Sequence, residues 1–290
     1  MKKLTLLVLS CVAIVTLAAC GSGDSKKSAD SGTNDKLAQI KDKGKLVIGT
    51  SPDFPPYEFY ILNDKNEKEI VGSDIALAKA VADEIGVELE IKATDFNGVL
   101  ANIQTNSVDL GISGFVATEQ REGIMDFSEG YQQEVNNGFQ GILVPKEIAE
   151  KYQTLDDLKA ANLTIGAQGG SIQFETASTL TDAKNIKQFG TMDAAVLALN
   201  SGDIQAVTVS TSSVEPLLTT FPDLVILPKE TFNLDPENKY GTNVIGFPKG
   251  DDTESLITVV NEVIKENNDN GNLAKWREES EEQAVNALKE

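Results

Sequence analysis

Residues 73–91, SDIALAKAVADEIGVELEI, carry two patterns in immediate succession. Apolar side chains recur at helical spacing up to Gly86, which is a helix stop. Residues 87–91 then alternate between apolar and charged side chains, as a half-buried strand does. An apolar strand, KLVIGT (45–50), precedes this stretch, and VDLGI (108–112) follows a second helical segment. Strands that alternate with helices in this way predict βαβ units and a parallel sheet.

The alternation of helices and strands starts again in the second half of the chain. Helices are predicted at 155–159, 171–180, 192–200 and 255–266, and strands at 163–167, 186–189, 204–209 and 243–248. A charged helical stretch with Leu273, Trp276 and Ala284 closes the sequence. Roughly 250 ordered residues suit two lobes better than one. The sequence therefore predicts two similar α/β lobes.

The N-terminus has the pattern of a secretory signal. Two lysines precede an apolar run at 4–18, which is too short to span a bilayer comfortably. The run ends in LAAC (17–20), which resembles a bacterial lipobox, so we expect residues 1–19 to be cleaved and Cys20 to be lipidated. The alternative is an ordinary secretory signal with an incidental cysteine. Residues 20–35 are rich in Gly, Ser, Asp and Lys, which predicts a flexible tether.

Charge and residue usage argue against several functional classes. Two of the 25 basic residues lie in the signal, which leaves 23 against 45 acidic residues and a net charge of −22. Nucleic acid and anionic membrane surfaces would be repelled. The two cysteines, Cys11 and Cys20, leave none in the body for a disulfide or a thiolate metal site. The chain has no histidine, which disfavours an enzyme without excluding carboxylate or lysine chemistry. We expect no metal, no cofactor and no catalytic group.

A series of short motifs resembles, in order, those of a known family. The motifs are KLVIGTSPDFPPYEF (45–59), VGSDIALA (71–78), QTNSVDL (104–110), TEQR (118–121), DFS (126–128), QGGS (168–171) and NSGDI (200–204). With them the chain resembles family 3 of the extracellular solute-binding proteins, the polar amino-acid binders of ABC importers. The likeness runs from Lys36 to Lys275, which is nearly the whole body of the chain.

This resemblance implies a two-lobed, periplasmic-binding-protein-like α/β fold with two crossing hinge strands and a ligand in the cleft. Lobe 1 would comprise residues 36–134 and 238–290, and lobe 2 residues 138–235. The protein would be a monomer that passes an amino acid or amino-acid derivative to an ABC permease with its ATPase. The lipobox and the acidic body favour a lipid anchor on the surface of a Gram-positive bacterium over a periplasm-facing anchor.

Binding of a zwitterionic ligand requires a cation for its carboxylate. Arg121 stands at the family's spacing for this clamp, and the alternative role for it is a surface arginine. Gly170 and Ser171 precede a predicted helix, whose free N–H groups can bind an anion, although Ser171 could equally be an ordinary helix cap. One grip from each lobe would couple binding to closure of the cleft.

Other positions of the resemblance give the rest of the predicted site. Phe54 and Phe96 would wall the ligand's side chain, although either could simply pack in the core. Ser113 and Gly114 would offer a hydroxyl and a carbonyl. Two further positions, Val116 and Ser210, depart from the family, which usually has a hydroxyl at the first and an ammonium-pairing aspartate at the second. We expect another acid, such as Asp53 or Glu215, to replace that aspartate, or the ligand to present its amine differently.

Alternative functions use the same fold. The ligand could be a small peptide or another carboxylate, or the chain could be a dehydratase-like enzyme. A serine nucleophile elbow is absent, because GISGF (111–115) fails at its last position. A sensor or adhesin that uses the cleft to signal is a third class, and no sequence feature indicates a partner surface for it.

Overall fold

The computed structural model describes residues 35–133 and 138–287. The predicted signal peptide, Cys20 and the predicted tether up to residue 34 lie outside the described residues. Within the described ranges, no helix combines the length and the apolar character needed to cross a bilayer.

The described strands are numbered in chain order: β1 (Lys45–Thr50), β2 (Asp53–Phe54), β3 (Glu58–Leu62), β4 (Lys68–Val71), β5 (Glu88–Ala93), β6 (Leu110–Gly111), β7 (Met125–Phe127), β8 (Gln132–Gln133), β9 (Gln140–Pro145), β10 (Ile165–Gln168), β11 (Ile186–Phe189), β12 (Ala206–Ser210), β13 (Leu224–Ile226), β14 (Thr242–Asn243) and β15 (Gly246–Pro248).

The described α-helices are numbered in the same way: α1 (Lys36–Lys43), α2 (Ser73–Ile85), α3 (Phe96–Gln104), α4 (Glu119–Glu122), α5 (Lys146–Ala149), α6 (Leu155–Ala160), α7 (Ile172–Ala177), α8 (Met192–Asn200), α9 (Thr211–Val214), α10 (Lys229–Phe232), α11 (Glu254–Asp269) and α12 (Asn272–Ala287). Short 3₁₀ helices lie at Ala183–Asn185, Glu215–Thr219 and Asp251–Thr253.

Two five-stranded sheets form the centres of the two lobes. The first has the order β5-β1-β6-β15-β7, with β1 parallel to β5 and β6 and with β15 antiparallel to its neighbours. The second has the order β11-β10-β12-β9-β13, with β10 parallel to β11 and β12 and with β9 antiparallel to its neighbours. The mainly parallel core of each sheet follows from its βαβ connections.

Each sheet is buried on both faces, so successive strand residues enter different cores. In β1, Leu46 packs with residues of α2 and α11, whereas the next residue, Val47, packs with residues of α3. In β9, Ile142 and Leu143 likewise pack into two different hydrophobic cores, one on each face of the sheet. Burial on both faces explains why these strands are continuous apolar runs rather than alternating ones.

Two extended segments join the lobes. The chain passes from β7 through β8 to β9, and it returns through β14 to β15. β8 and β14 pair antiparallel, with Asn243 opposite Gln132. These are the two crossing hinge strands of the expected fold. The exact lobe limits given above, at 134, 138, 235 and 238, remain predictions.

Two predicted elements differ from the structure in ways that particular hydrogen bonds explain. The predicted helix at 171–180 is the shorter α7, because a tighter turn after it, closed by the Leu180 N–H, carries Leu180 into the core. The predicted strand at 243–248 is divided into β14 and β15. Between them the Ile245 N–H donates to the Ser128 hydroxyl instead of to a neighbouring strand.

Candidate functional site

A cavity lies between the lobes, beyond the carboxyl ends of β1 and β6 on one side and of β10 and β12 on the other. Crevices at this edge of α/β sheets are the usual place for ligands. Lobe 1 lines the cavity with Asp53, Phe54, Tyr57, Glu58, Phe96, Ser113, Gly114, Val116 and Arg121, lobe 2 with Gln140, Gln168, Ser171, Ile172, Gln173 and Ser210, and the return crossing with Tyr240 and Asn243.

Arg121 is a buried cation in this wall, only 5% exposed. The Thr118 hydroxyl caps α4 by accepting from the Arg121 N–H, which fixes the start of the short helix. Nη1 donates to the Val116 carbonyl at 2.8 Å, and Nη2 donates across the cleft to the Gly170 carbonyl at 3.0 Å. The guanidinium also lies 5.4 Å from the centroid of the Phe96 ring. Packing and hydrogen bonds therefore hold the charge in place.

The charge of Arg121 lacks an anionic partner. No carboxylate of residues 35–133 or 138–287 forms an ion pair with it. Burial lowers the pKa of Arg121 to about 10, and the more distant Glu175 only partly opposes the shift. A buried cation with neutral partners is costly, so an anion that enters the cavity would be stabilised there.

Gly170 and Ser171 have different surroundings. Gly170 is not part of the cavity wall. It has a φ of +73°, and a Cβ there would lie 2.5 Å from Asn97 Oδ1 of lobe 1, so a glycine permits this close approach of the lobes. Ser171 does line the wall, but its hydroxyl donates to the Gln168 carbonyl and accepts from the Phe174 N–H as the cap of α7. Binding of the ligand's carboxylate by this turn remains a prediction.

The two predicted aromatic residues both reach the cavity. The Phe54 ring stacks on Tyr57 with centroids 5.2 Å apart, and a Cβ on Gly114 would lie 2.8 Å from it. Phe96 packs against Phe115 with centroids 5.2 Å apart and belongs to the lobe 1 core as well. Both rings are therefore rigidly held surfaces of the wall.

Two buried acids lie behind Ser113 and Gly114. The Ser113 hydroxyl donates to Glu58 Oε1 at 2.8 Å, so its hydrogen is already committed within lobe 1. The Gly114 N–H donates to Asp74 Oδ2 at 3.0 Å. The Tyr131 hydroxyl donates to the same oxygen at 2.8 Å. These bonds fix the backbone of the predicted contact loop.

Glu58 and Asp74 form an acid pair. Glu58 Oε2 and Asp74 Oδ1 are both buried, and neither has a hydrogen-bond partner among residues 35–133 and 138–287. Burial raises the pKa of Glu58 well above its usual range, and the negative charge of Asp74 adds to the shift. Burial raises the pKa of Asp74 to about 6, although its bonded N–H and O–H donors oppose this. Both carboxyls therefore favour their protonated forms more than an exposed carboxyl does.

Asp53 links the two lobes. Its Oδ2 accepts from Gln168 Nε2 at 2.8 Å and from the Met192 N–H, at the start of α8, at 2.7 Å. Its Oδ1 accepts from the Ser51 hydroxyl at 2.7 Å. Burial raises the pKa of Asp53 above its usual range, and the bonds from Ser51 and Met192 oppose the shift. Of the two acids suggested by the sequence as replacements for the missing aspartate, Asp53 lies in the wall and Glu215 lies in a separate groove.

Apart from Asp53, Glu58 and Arg121, the described residues of the wall carry no formal charge. Val116 and Ser210 lie in it as expected, and Ser210 is paired with Gln140 across the β9–β12 ladder. Gln140 Oε1 accepts from Gln173 Nε2 at 2.8 Å. Asn243 lines the wall from β14. These three amides were not predicted from the sequence, because they belong to no motif. For Gln140 and Asn243 the available signal was a polar side chain in or next to a crossing strand.

Residues 46–279 match the family described as bacterial extracellular solute-binding proteins, family 3. The chain belongs to this family. Among its relatives, the arginine-binding extracellular protein ArtP of Bacillus subtilis is 32% identical over 281 residues, which cover 96% of this chain and 97% of that protein. The L-cystine-binding protein TcyA of the same organism is 26% identical over 277 residues, or 95% and 96% of the two chains.

A solved member of the family has the same two-lobed fold. AbpA of Streptococcus pneumoniae, an amino acid ABC transporter substrate-binding protein bound to L-arginine, superposes with a TM-score of 0.76 at 32% identity, over 86% of this chain and 99% of that chain. The family consists of solute-binding proteins rather than enzymes. This family 3 protein is thus the substrate-binding component of an ABC transporter for an amino acid or an amino-acid derivative.

Proposed function

We propose that the cavity binds the zwitterionic head of an α-amino acid, with Arg121 on the carboxylate. The observation that carries this proposal is the buried guanidinium, which has no ion pair among the described residues. Its planar fork matches the two oxygens of a carboxylate, which would neutralise its charge. Because Arg121 also donates to Gly170 of the opposite lobe, ligand binding and lobe closure would favour each other.

Asp53 takes the ligand's ammonium in this proposal. Glu58 is less suited to that role, because it already accepts from the Ser113 hydroxyl and its burial raises its pKa well above the usual range. Among residues 35–133 and 138–287, Asp53 Oδ1 accepts only from the Ser51 hydroxyl, so it retains a lone pair for an ammonium hydrogen. Phe54 and Phe96 would wall the side chain. The other proposed contacts are Ser113, Gly114, Val116, Ser171 and Ser210, and Gly170 takes part through its carbonyl, which accepts from Arg121.

The names of the relatives support an amino acid. Arginine and cystine, named for ArtP and TcyA, share the α-amino and α-carboxylate groups and differ only in the side chain. Arg121 and Asp53 would bind the shared part. The side chain must then be distinguished by the uncharged part of the wall.

The N-terminal LAAC segment bears on where the protein is located. The LAAC segment supports lipidation of Cys20, which would hold a monomer on the outer face of a Gram-positive membrane beside its permease and ATPase. Mass spectrometry of the N-terminal peptide should show a diacylglyceryl group on Cys20. Cys20→Ser should release the protein into the medium, and a variant that stays on the membrane would contradict the anchor.

Calorimetric titration of the purified protein tests the binding site. The panel contains the common amino acids, cystine, glutathione and short peptides. We expect Arg121→Ala to weaken binding of the preferred amino acid by about a hundredfold or more, because the carboxylate loses its buried partner. Arg121→Lys should lose less, since it retains the charge but not the fork.

The control is Arg277→Lys. Arg277 is also buried, at 6% exposure, but it pairs with Glu281 outside this cavity, so the dissociation constant should not change. An amino acid that binds Arg121→Ala as tightly as the unaltered protein would disprove the proposed clamp. NMR of the released ligand should show it chemically unchanged, and a converted ligand would indicate an enzyme.

A further inference from the structure

The Asn243 side chain lines the cavity and is 8% exposed. Its Nδ2 is buried and has no hydrogen-bond partner among residues 35–133 and 138–287. We infer that Asn243 reads an uncharged, oxygen-bearing group at the end of the ligand's side chain, so that the preferred ligand is an amino acid with a side-chain amide. This inference rests on the proposed binding of the amino-acid head by Arg121 and Asp53.

The position of Asn243 is set by the hinge. Its backbone carbonyl accepts from the Tyr131 N–H at 3.0 Å, and β14 pairs with β8 on the other crossing. Successive strand residues point to opposite sides, so Thr242 is exposed and Asn243 is buried toward the cavity. The amide can rotate by half a turn without changing its shape, which turns either its N–H donors or its carbonyl to a ligand.

An unpartnered buried amide is unusual, because leaving one unsatisfied costs more than a made hydrogen bond contributes. The Asn243 Nδ2 group therefore forms no hydrogen bond with the described residues that would stabilise the ligand-free protein. A ligand oxygen in the cavity would satisfy its N–H group, and a ligand amide would satisfy both of its ends.

Neighbouring wall residues are also neutral amides. Gln140 Oε1 is occupied by Gln173 Nε2, which leaves the Gln140 NH₂ group without a partner among residues 35–133 and 138–287. Gln140 starts β9 at the end of the other crossing, and it is 7% exposed. Both crossings thus bring an amide to the same cavity. Amide groups that retain unused donors match a carbonyl oxygen better than a cation.

Within residues 35–133 and 138–287, the charged groups of the wall leave no acid for a cationic side chain. Arg121 is matched to the carboxylate of the ligand head and Asp53 to its ammonium. Glu58 is buried against Asp74 and already accepts from Ser113. A guanidinium or lysine ammonium would therefore be desolvated without a carboxylate partner. Glutamine and asparagine place a neutral amide there instead.

Titration of the purified protein with four probes tests the inference: L-glutamine, L-asparagine, L-arginine and L-norvaline. Norvaline is glutamine with a methyl group in place of the amide. We expect an amide amino acid to bind about tenfold or more tightly than norvaline and arginine. Asn243→Ala should remove that preference while leaving norvaline binding unchanged. Thr242→Ala, on the outward face of the same strand, is the matched control and should change neither.

A second readout separates reading of the ligand from structural support. Since Asn243 Nδ2 has no hydrogen-bond partner among the described residues, Asn243→Ala should leave the unfolding midpoint of the ligand-free protein within about 2 °C of the original. A preference for arginine that Asn243→Ala leaves intact would overturn the inference and spare the proposed function, provided that Arg121→Ala still abolishes binding. Binding that is insensitive to Arg121→Ala would instead overturn both.

Discussion

The buried acid pair behind the cavity makes stability depend on pH. Asp74 Oδ2 accepts hydrogen bonds from the Gly114 N–H and the Tyr131 hydroxyl, and its other oxygen faces Glu58. Burial nevertheless raises the pKa of Asp74 from 3.8 to about 6. A carboxyl whose pKa is raised by folding stabilises the native state below its unfolded pKa. That contribution is lost as the pH rises through the folded value.

The size of the effect follows from the shift. About two pKa units correspond to about 3 kcal/mol at roughly 1.4 kcal/mol per unit. Asp74→Asn keeps an oxygen for the two donors and removes the charge. We therefore expect the variant to be more stable than the original protein by up to about 3 kcal/mol near pH 7.5, and by almost nothing near pH 4.

Urea unfolding at a series of pH values, followed by tryptophan fluorescence and circular dichroism, measures this difference. The matched control is Glu84→Gln, which alters an exposed acid on α2. It should change the free energy of unfolding by less than about 1 kcal/mol at either pH.

An Asp74→Asn protein that is less stable than the original near pH 7.5, with an unchanged urea dependence, would refute this reasoning. It would mean that the hydrogen bonds to ionised Asp74 outweigh the cost of burying its charge. A stability difference that does not vary with pH would equally contradict it, because it would show that folding does not shift the pKa of Asp74.

Two further predictions concern lobe closure and backbone geometry. Asp53→Ala removes two hydrogen bonds between the lobes. Ligand affinity should therefore fall about tenfold or more, and X-ray scattering should show a larger radius of gyration. Asp193→Asn, which alters an exposed acid on α8 next to Met192, should leave both unaltered. Gly72→Ala places a Cβ 2.1 Å from the Tyr57 carbonyl at a φ of +130°, and calorimetry should show a loss of about 3 kcal/mol or more. Gly86→Ala, at a φ of +81° with open space around it, should lose only about 1 kcal/mol. Equal losses at the two glycines would contradict the contact.

Much of the fold could be predicted from local patterns. The predicted helix at 192–200 and the strand at 45–50 coincide with α8 and β1, because apolar spacing reports which face of an element is buried. The order of the motifs gave the two-lobed architecture and drew attention to Arg121. Boundaries were less well predicted where side chains interrupt a ladder, as the Ser128 hydroxyl does between β14 and β15.

The composition of the site depended more on the tertiary structure. In the sequence, Asp53 and Glu215 are equally plausible partners for an ammonium, and only the packing of the lobes brings Asp53 to the cavity. Glu58 and Asp74 are ordinary acids in sequence, and their pKa values are raised because β3 and α2 bury both of them. Ser113 was expected to offer its hydroxyl to the ligand, and that hydrogen is donated to Glu58.

The sequence by itself determined the family, the alternation of helices and strands, and an arginine at the family's position in a motif. Only the tertiary structure decided that this arginine is buried, which acids have raised pKa values, and that Asn243 Nδ2 has no partner among the described residues. The physical reason is that periodicity along a chain records burial of whole elements, whereas hydrogen bonds and pKa shifts depend on distances between segments far apart in sequence. Those distances are fixed when two lobes close on the same cavity.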